Sequence, residues 1–179
     1  MPRIIKNAGV HDDVWKLITL AENETPESLR LPVGPLLVPL AVWRARKAEL
    51  IHREYEHGWP LGVWLAPDDG PEDIADDLDD FSVVAVHFPS FTDGRGYTAA
   101  RLLRSRYGYR GELRAVGDVL RDQLFYLKRC GFDAFAVRAD KDIEEAVAGL
   151  ADFSDSYQAA IDQPLPLFRR EARAAAIHD

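Results

Sequence analysis

Residues 82–137 read SVVAVHFPSFTDGRGYTAARLLRSRYGYRGELRAVGDVLRDQLFYLKRCGFDAFAV, and this stretch decides the fold class. Its opening, Ser82–Phe88 (SVVAVHF), is almost continuously apolar, as expected of a strand buried on both faces of a parallel sheet. Tyr97 to Tyr107 then reads as a helix closed by Gly108, and Leu113 to Val116 as the next strand. Asp118 suits the N-cap of a helix over Val119–Cys130, with Gly131 behind it, and Ala134–Val137 reads as a further strand.

The same alternation extends outward. Upstream lie an apolar strand at Leu36-Leu37-Val38, a helix from Val42 to Tyr55 stopped by Gly58, a strand at Leu61–Leu65 and a weak helix at Pro71–Leu78. Downstream, Asp140 suits the cap of a helix over Lys141–Leu150, with Ile143, Val147 and Leu150 facing inward. Five βα units leave no room for hairpins between their strands. The expectation is an α/β fold with a mainly parallel sheet and right-handed crossovers, either open and flavodoxin-like or a partial barrel. Ile4-Ile5-Lys6 and Val14–Leu17, split by Asn7-Ala8-Gly9, predict a short N-terminal β-hairpin, and residues 21–34 a loop. We therefore expect one domain over residues 1–158, its first 34 forming hairpin and loop, and a tail over 159–179 that serves as a docking arm or stays disordered.

Composition narrows the function classes. With 47% apolar and 29% charged residues, the 179-residue chain has the balance of a globular domain. Its single cysteine, Cys130, rules out a disulfide framework and a cysteine-rich metal or iron–sulfur site. No apolar run approaches the ~18 residues of a membrane span. The N-terminus lacks a signal-peptide core, so the expected compartment is the cytoplasm. A net charge of −8 argues against non-specific nucleic-acid binding. Charge is also segregated: Asp68–Asp80 holds eight carboxylates, whereas Arg95–Arg129 holds eight arginines and Lys128 against Glu112, Asp118 and Asp122. The acidic run reads as a solvated or partner-docking face, not a metal site, because its i, i+4 acid pairs repel. Arg101, Arg104, Arg106 and Arg110 read as a solvated helix face and turn, able to receive an acidic partner.

In parallel α/β folds ligands gather at the carboxyl ends of strands. Here that edge holds His87, the loop from Pro89 to Gly96, Asp118, Arg138 and the Pro67-Asp68-Asp69 turn. Gly94 and Gly96 let a ligand approach the backbone, the following helix aims free N–H groups at the same place, and Arg95 adds a bidentate cation. The predicted ligand-binding residues are Asp93, Gly94, Arg95, Gly96, Asp118 and Arg121, with a small oxyanion as ligand. The bland alternative is an Asp93-Gly94 turn whose aspartate pairs with Arg95. Gly94, Gly96 and Ala99 also fit a nicotinamide or flavin nucleotide fingerprint, with Asp118 as the ribose acid, but five residues separate the strand from Gly94. His87 reads as a core histidine or a general base. Cys130 reads as a buried structural thiol at the negative end of its helix. No cofactor, metal or catalytic residue follows from these patterns.

The stretch FPSFTDGRGYTAARLLRSRYGYRGELRAVGDVLRDQLFYLKRCGFDAF, with LLVPLAVWRARKAEL and GVWLAPDD before it and FSDSYQ after it, closely resembles the signature of an uncharacterised bacterial family. Members of that domain-of-unknown-function family are often encoded beside assimilatory sulfite reductase and labelled as probable sulfite-reduction oxidoreductases. The resemblance implies a place in sulfate or sulfite assimilation. The expected function is an accessory protein docking on the reductase, with a small sulfur oxyanion at Asp93–Gly96. The alternative is a cofactor-dependent oxidoreductase of the same pathway.

Overall fold

A computed structural model describes residues 2–153 and 156–170. Strands β1 (Arg3–Lys6) and β2 (Gly9–Asp12) form the N-terminal hairpin. Asn7 and Ala8 turn it with φ of 53° and 57°, the paired left-handed residues that a two-residue I′ turn requires. Its second strand is therefore Gly9–Asp12, and Val14–Leu17 belongs elsewhere: β3 (Lys16–Leu17) pairs in parallel with β4 (Leu36–Pro39). The chain then alternates through α1 (Leu40–His57), β5 (Leu61–Leu65), a 3₁₀ turn at Pro71–Asp80, β6 (Val83–Phe88), α2 (Arg95–Ser105) and β7 (Glu112–Gly117). A 3₁₀ turn at Arg121–Gln123 leads into α3 (Leu124–Cys130), followed by β8 (Ala134–Phe135) and α4 (Ile143–Val147).

All eight strands join one sheet, in the order β2-β1-β8-β7-β6-β5-β4-β3. From β3 to β8 every pairing is parallel, but β1 runs antiparallel to both β2 and β8. The sheet is thus mixed and not mainly parallel. The hairpin reverses direction in a tight turn, so one of its strands has to oppose the parallel set it joins.

Because β4 to β8 stand side by side in chain order, crossovers of one hand put every helix on one face. Trp43 and Leu50 of α1, Leu103 of α2 and Leu127 of α3 accordingly join one cluster with Leu36, Val63, Val84 and Leu113 of the sheet. The other face carries Leu37, Val83, Ala85 and Val116, with Trp15 and Trp64 packed on them. A flavodoxin-like sheet would have helices on both faces. Chain length closes the case: flat, eight strands set the edges about 33 Å apart, yet β2 and β3 are those edges and only residues 13–15 connect them, spanning at most about 14 Å. The sheet therefore curls into a half-barrel whose inner face is crossed by that connection. Gly62 makes room for it: a Cβ there would stand 2.6 Å from a Leu37 methyl and 3.2 Å from the Trp15 ring.

At the amino end of the strands the half-barrel holds an ion network. Arg114, 2% exposed, donates to Asp13 (2.8 Å) and Glu112 (2.7 Å), and Lys6 donates to Glu112 (2.5 Å). Residues 158–162 lie against α3, where the Ile161 N–H donates to the Arg129 carbonyl (3.2 Å) and Arg129 donates to Asp162 (3.1 Å) and the Gln158 carbonyl. Of the expected tail, residues 171–179 fall outside the described residues. Among the described residues no helix is long and apolar enough to cross a membrane.

Candidate functional site at the carboxyl ends of the strands

The loop after β6 enters α2 through Asp93, whose carboxylate accepts from the Arg95 backbone N–H (3.1 Å). The same carboxylate takes the Arg95 side chain at Nη2 (2.6 Å) and Nε (3.1 Å), while Nη1 donates to Asp68 (2.5 Å) across the β5 turn. Asp93, with Asp68 beyond it, pushes the Arg95 guanidinium up, and Arg95 holds Asp93 below the usual carboxylate range. Gly96 serves packing: a Cβ there would stand 2.6 Å from the Phe88 ring, so the glycine lets α2 sit directly on β6. Gly94 has open space around it and an ordinary φ of −90°.

Asp118 is not the helix cap that its position suggests. The chain after β7 turns first through Val119 and the Arg121–Gln123 turn, where the Gln123 side chain accepts from the Leu120 N–H (2.9 Å). Asp118 instead accepts from the Phe91 N–H (2.8 Å) and from Arg138 (2.7 Å), tying the β6 loop to the segment after β8. Arg138 also donates to Asp140 (2.6 Å), which it holds down to about 2. The cap of α4 is Asp142, accepting from the Glu144 N–H at 2.8 Å, so Asp140 is free for that pairing.

The edge thus brings together Asp93, Gly94, Arg95, Gly96 and Asp118 and leaves Arg121 out. Arg121 donates instead to Asp152 (2.8 Å), at the end of the 3₁₀ turn that follows α4. Two guanidiniums, of Arg95 and Arg138, face four carboxylates, of Asp68, Asp93, Asp118 and Asp140. An anion at Arg95 competes with two carboxylates, and a ribose at Asp118 shares its carboxylate with a backbone N–H and Arg138.

Behind the edge, inside the half-barrel, the His87 ring packs against Trp64 (centroids 5.7 Å apart), and burial pushes its pKa below 6.5. Gly117, with φ of 97°, closes this corner; a Cβ there would lie 2.3 Å from the Phe88 carbonyl and 3.0 Å from His87. The Trp64 indole donates to the Ile18 carbonyl (2.8 Å), fastening the chain just past β3. Trp15, Trp64 and Arg114 escaped the sequence reading. The signal was the alternation of Glu112, Arg114 and Val116 with Leu113 and Ala115, a period of two that sends every other residue inward.

Two other charged features are internally used. Asp73 and Asp77 of the acidic run accept from Arg44 (2.5 Å) and Lys47 (2.5 Å) of α1, and Asp77 also from the Trp43 indole (2.7 Å). Arg104 is no solvated surface residue: it donates to the carbonyls of Gly131 (2.9 Å), Tyr109 (2.8 Å) and Gly111 (2.8 Å) and to Asp133 (2.7 Å). Arg101, Arg106 and Arg110 are exposed and form no ion pair among the described residues. Cys130 is buried, and burial pushes its thiol up against the opposing pull of a Tyr126 hydrogen bond and the charge of Arg101. Among the described residues no group of three or more His, Cys, Asp or Glu side chains is placed to hold a metal ion.

A family model described as a bacterial protein of unknown function (DUF934) matches residues 62–168, which takes in β6, the loop, α2, the strand-end edge and residues 156–168. Comparison with curated proteins finds no match.

Proposed function

The chain belongs to this family of bacterial proteins of unknown function, and from that premise we propose that it is an accessory protein of assimilatory sulfite reduction that docks on the reductase through the exposed arginines of α2 and of the turn after it. The pathway rests on the resemblance carried by residues 88–135 and the matching stretches on either side, about 35 to 160 in all. The docking surface rests on one contrast of charge. At the strand-end edge each arginine is neutralised by carboxylates of its own chain, whereas Arg101, Arg106 and Arg110 keep their charge for a partner. Beside Arg101 stands Tyr126, 58% exposed, its ring tilted against Tyr97 with centroids 5.1 Å apart. Arginine and tyrosine together are the residue types that dominate protein–protein binding energy. An acidic patch on the reductase is the complementary surface. The proposal does not extend to an oxyanion at Asp93–Gly96, where two carboxylates already hold the guanidinium.

Growth of a deletion strain on sulfate, sulfite, sulfide or cysteine as sole sulfur source tests the pathway, with rescue by sulfide but not by sulfite expected. The triple reversal Arg101→Glu, Arg106→Glu, Arg110→Glu should fail to restore growth and lose co-purification with the reductase, while Arg95→Ala restores both. Equal growth of the deletion strain on all four sources overturns the pathway. Loss of function in Arg95→Ala with the triple reversal intact would favour an oxidoreductase working at the strand-end edge.

A further inference from the structure

A cavity of about 340 Å³ opens at the other end of the sheet, where the helix-covered face meets the amino end of β8. Phe132 and Phe135 form its floor, Leu150 and Ile161 its walls, and the exposed side chains of Asn7 and Lys128 its rim. The volume falls at the small end of ligand sites, roughly 300–1,000 Å³. The cavity opens to solvent, and it combines an apolar floor with a polar and charged mouth, the combination that receives a small amphipathic ligand.

Its walls are fixed in place. The Ile161 N–H is held by the Arg129 carbonyl, and Gly131, at φ of 111°, has no side chain where Ile161 and Arg104 close in; a Cβ there would lie 3.2 Å from one and 2.6 Å from the other. Charge at the mouth is also decided. Arg104 pairs with Asp133 (2.7 Å) and Asp162 with Arg129 (3.1 Å), so these cancel. Lys128 forms no ion pair among the described residues and remains as one uncompensated cation over an apolar floor.

We propose that this cavity binds a small organic anion with an aromatic body, its ring against Phe132 and Phe135 and its carboxylate or sulfonate on the Lys128 ammonium. Ring packing supplies the apolar contact and the ammonium a charge-assisted hydrogen bond. None of Arg101, Arg106 and Arg110 lines the cavity, so this site stands or falls apart from the docking surface.

Titration of the full chain with 2-naphthoate and with uncharged 2-naphthamide, followed by amide NMR shifts, tests it. Naphthoate should shift residues around Lys128 and Phe135 and bind about tenfold tighter than the amide, the value of one charge-assisted hydrogen bond. Lys128→Gln, at an exposed position, should erase that preference and leave amide binding unchanged. Ile161→Trp should fill the space and abolish both. Absence of naphthoate shifts, equal affinity for the two probes, or a preference that survives Lys128→Gln overturns the site; should Ile161→Trp not fold, the Lys128→Gln comparison decides alone.

Discussion

Arginine meets aspartate both inside the half-barrel and on its strand-end rim, at the same 2.5–2.8 Å, yet the two settings mean different things. Arg114 is 2% exposed and its partner Glu112 has a side chain 8% exposed. Arg95 and Arg138 stand in solvent, with side chains 56% and 41% exposed. Inside, removing one partner strands a desolvated charge. Outside, water and salt replace a lost partner. Distance alone is silent about this; burial decides it. The inner network fastens residue 13 to β7 and so holds the curl, while the rim pairs set the local charge of the loops.

Four measurements can break or sharpen that contrast. The largest effect belongs to Arg114→Ala, which leaves Glu112 and Asp13 without their shared cation and should cost about 3–5 kcal/mol in denaturant unfolding; a loss no greater than that of a surface substitution would end the distinction. Gly117→Ala comes next, at the corner where interior and rim meet. Its φ of 97° and the Phe88 carbonyl 2.3 Å from the new Cβ together predict about 1–3 kcal/mol, readable as a lowered thermal midpoint. A smaller effect is expected of pH on His87. Folding lowers its pKa, so the unfolded chain binds the proton first, and stability should decline as pH falls from 6.5 through the lower folded value. His87→Gln should flatten that decline, and an unchanged slope would place its cause elsewhere. Smallest of all, Arg95→Ala should leave the unfolding midpoint where it was, and a clear drop would show that the rim carries structure as well as charge.

Much of the architecture was legible in the chain. SVVAVHF announced a strand buried on both faces, Leu61–Leu65 was read to its final residue, and Gly58 and Gly131 marked helix ends where they occur. The destination of Val14–Leu17 was hidden, because its pairing with Leu36 and Leu37 depends on where the sheet closes and not on local pattern. Caps misled for a similar reason. Asp118 and Asp140 have the right residue type and spacing, but Arg138, distant from Asp118 by 20 residues, recruits both. At the candidate site the turn chemistry of Asp93 and Arg95 was visible, whereas the arrival of Asp68 and the role of Gly96 under Phe88 required the fold.

The pairing of β1 with β8 has a consequence for how the chain is made. Ile5 lies opposite Phe135, so β1 has no partner on that side until β8, 130 residues later, has also left the ribosome. At about 5–20 residues per second that interval is roughly 6–26 s. The β1–β2 hairpin can form meanwhile, since its turn is local, but the connection across the inner face must wait for the sheet it crosses. The half-barrel therefore closes only once β8 has emerged, and until then β1 carries an unpaired strand edge.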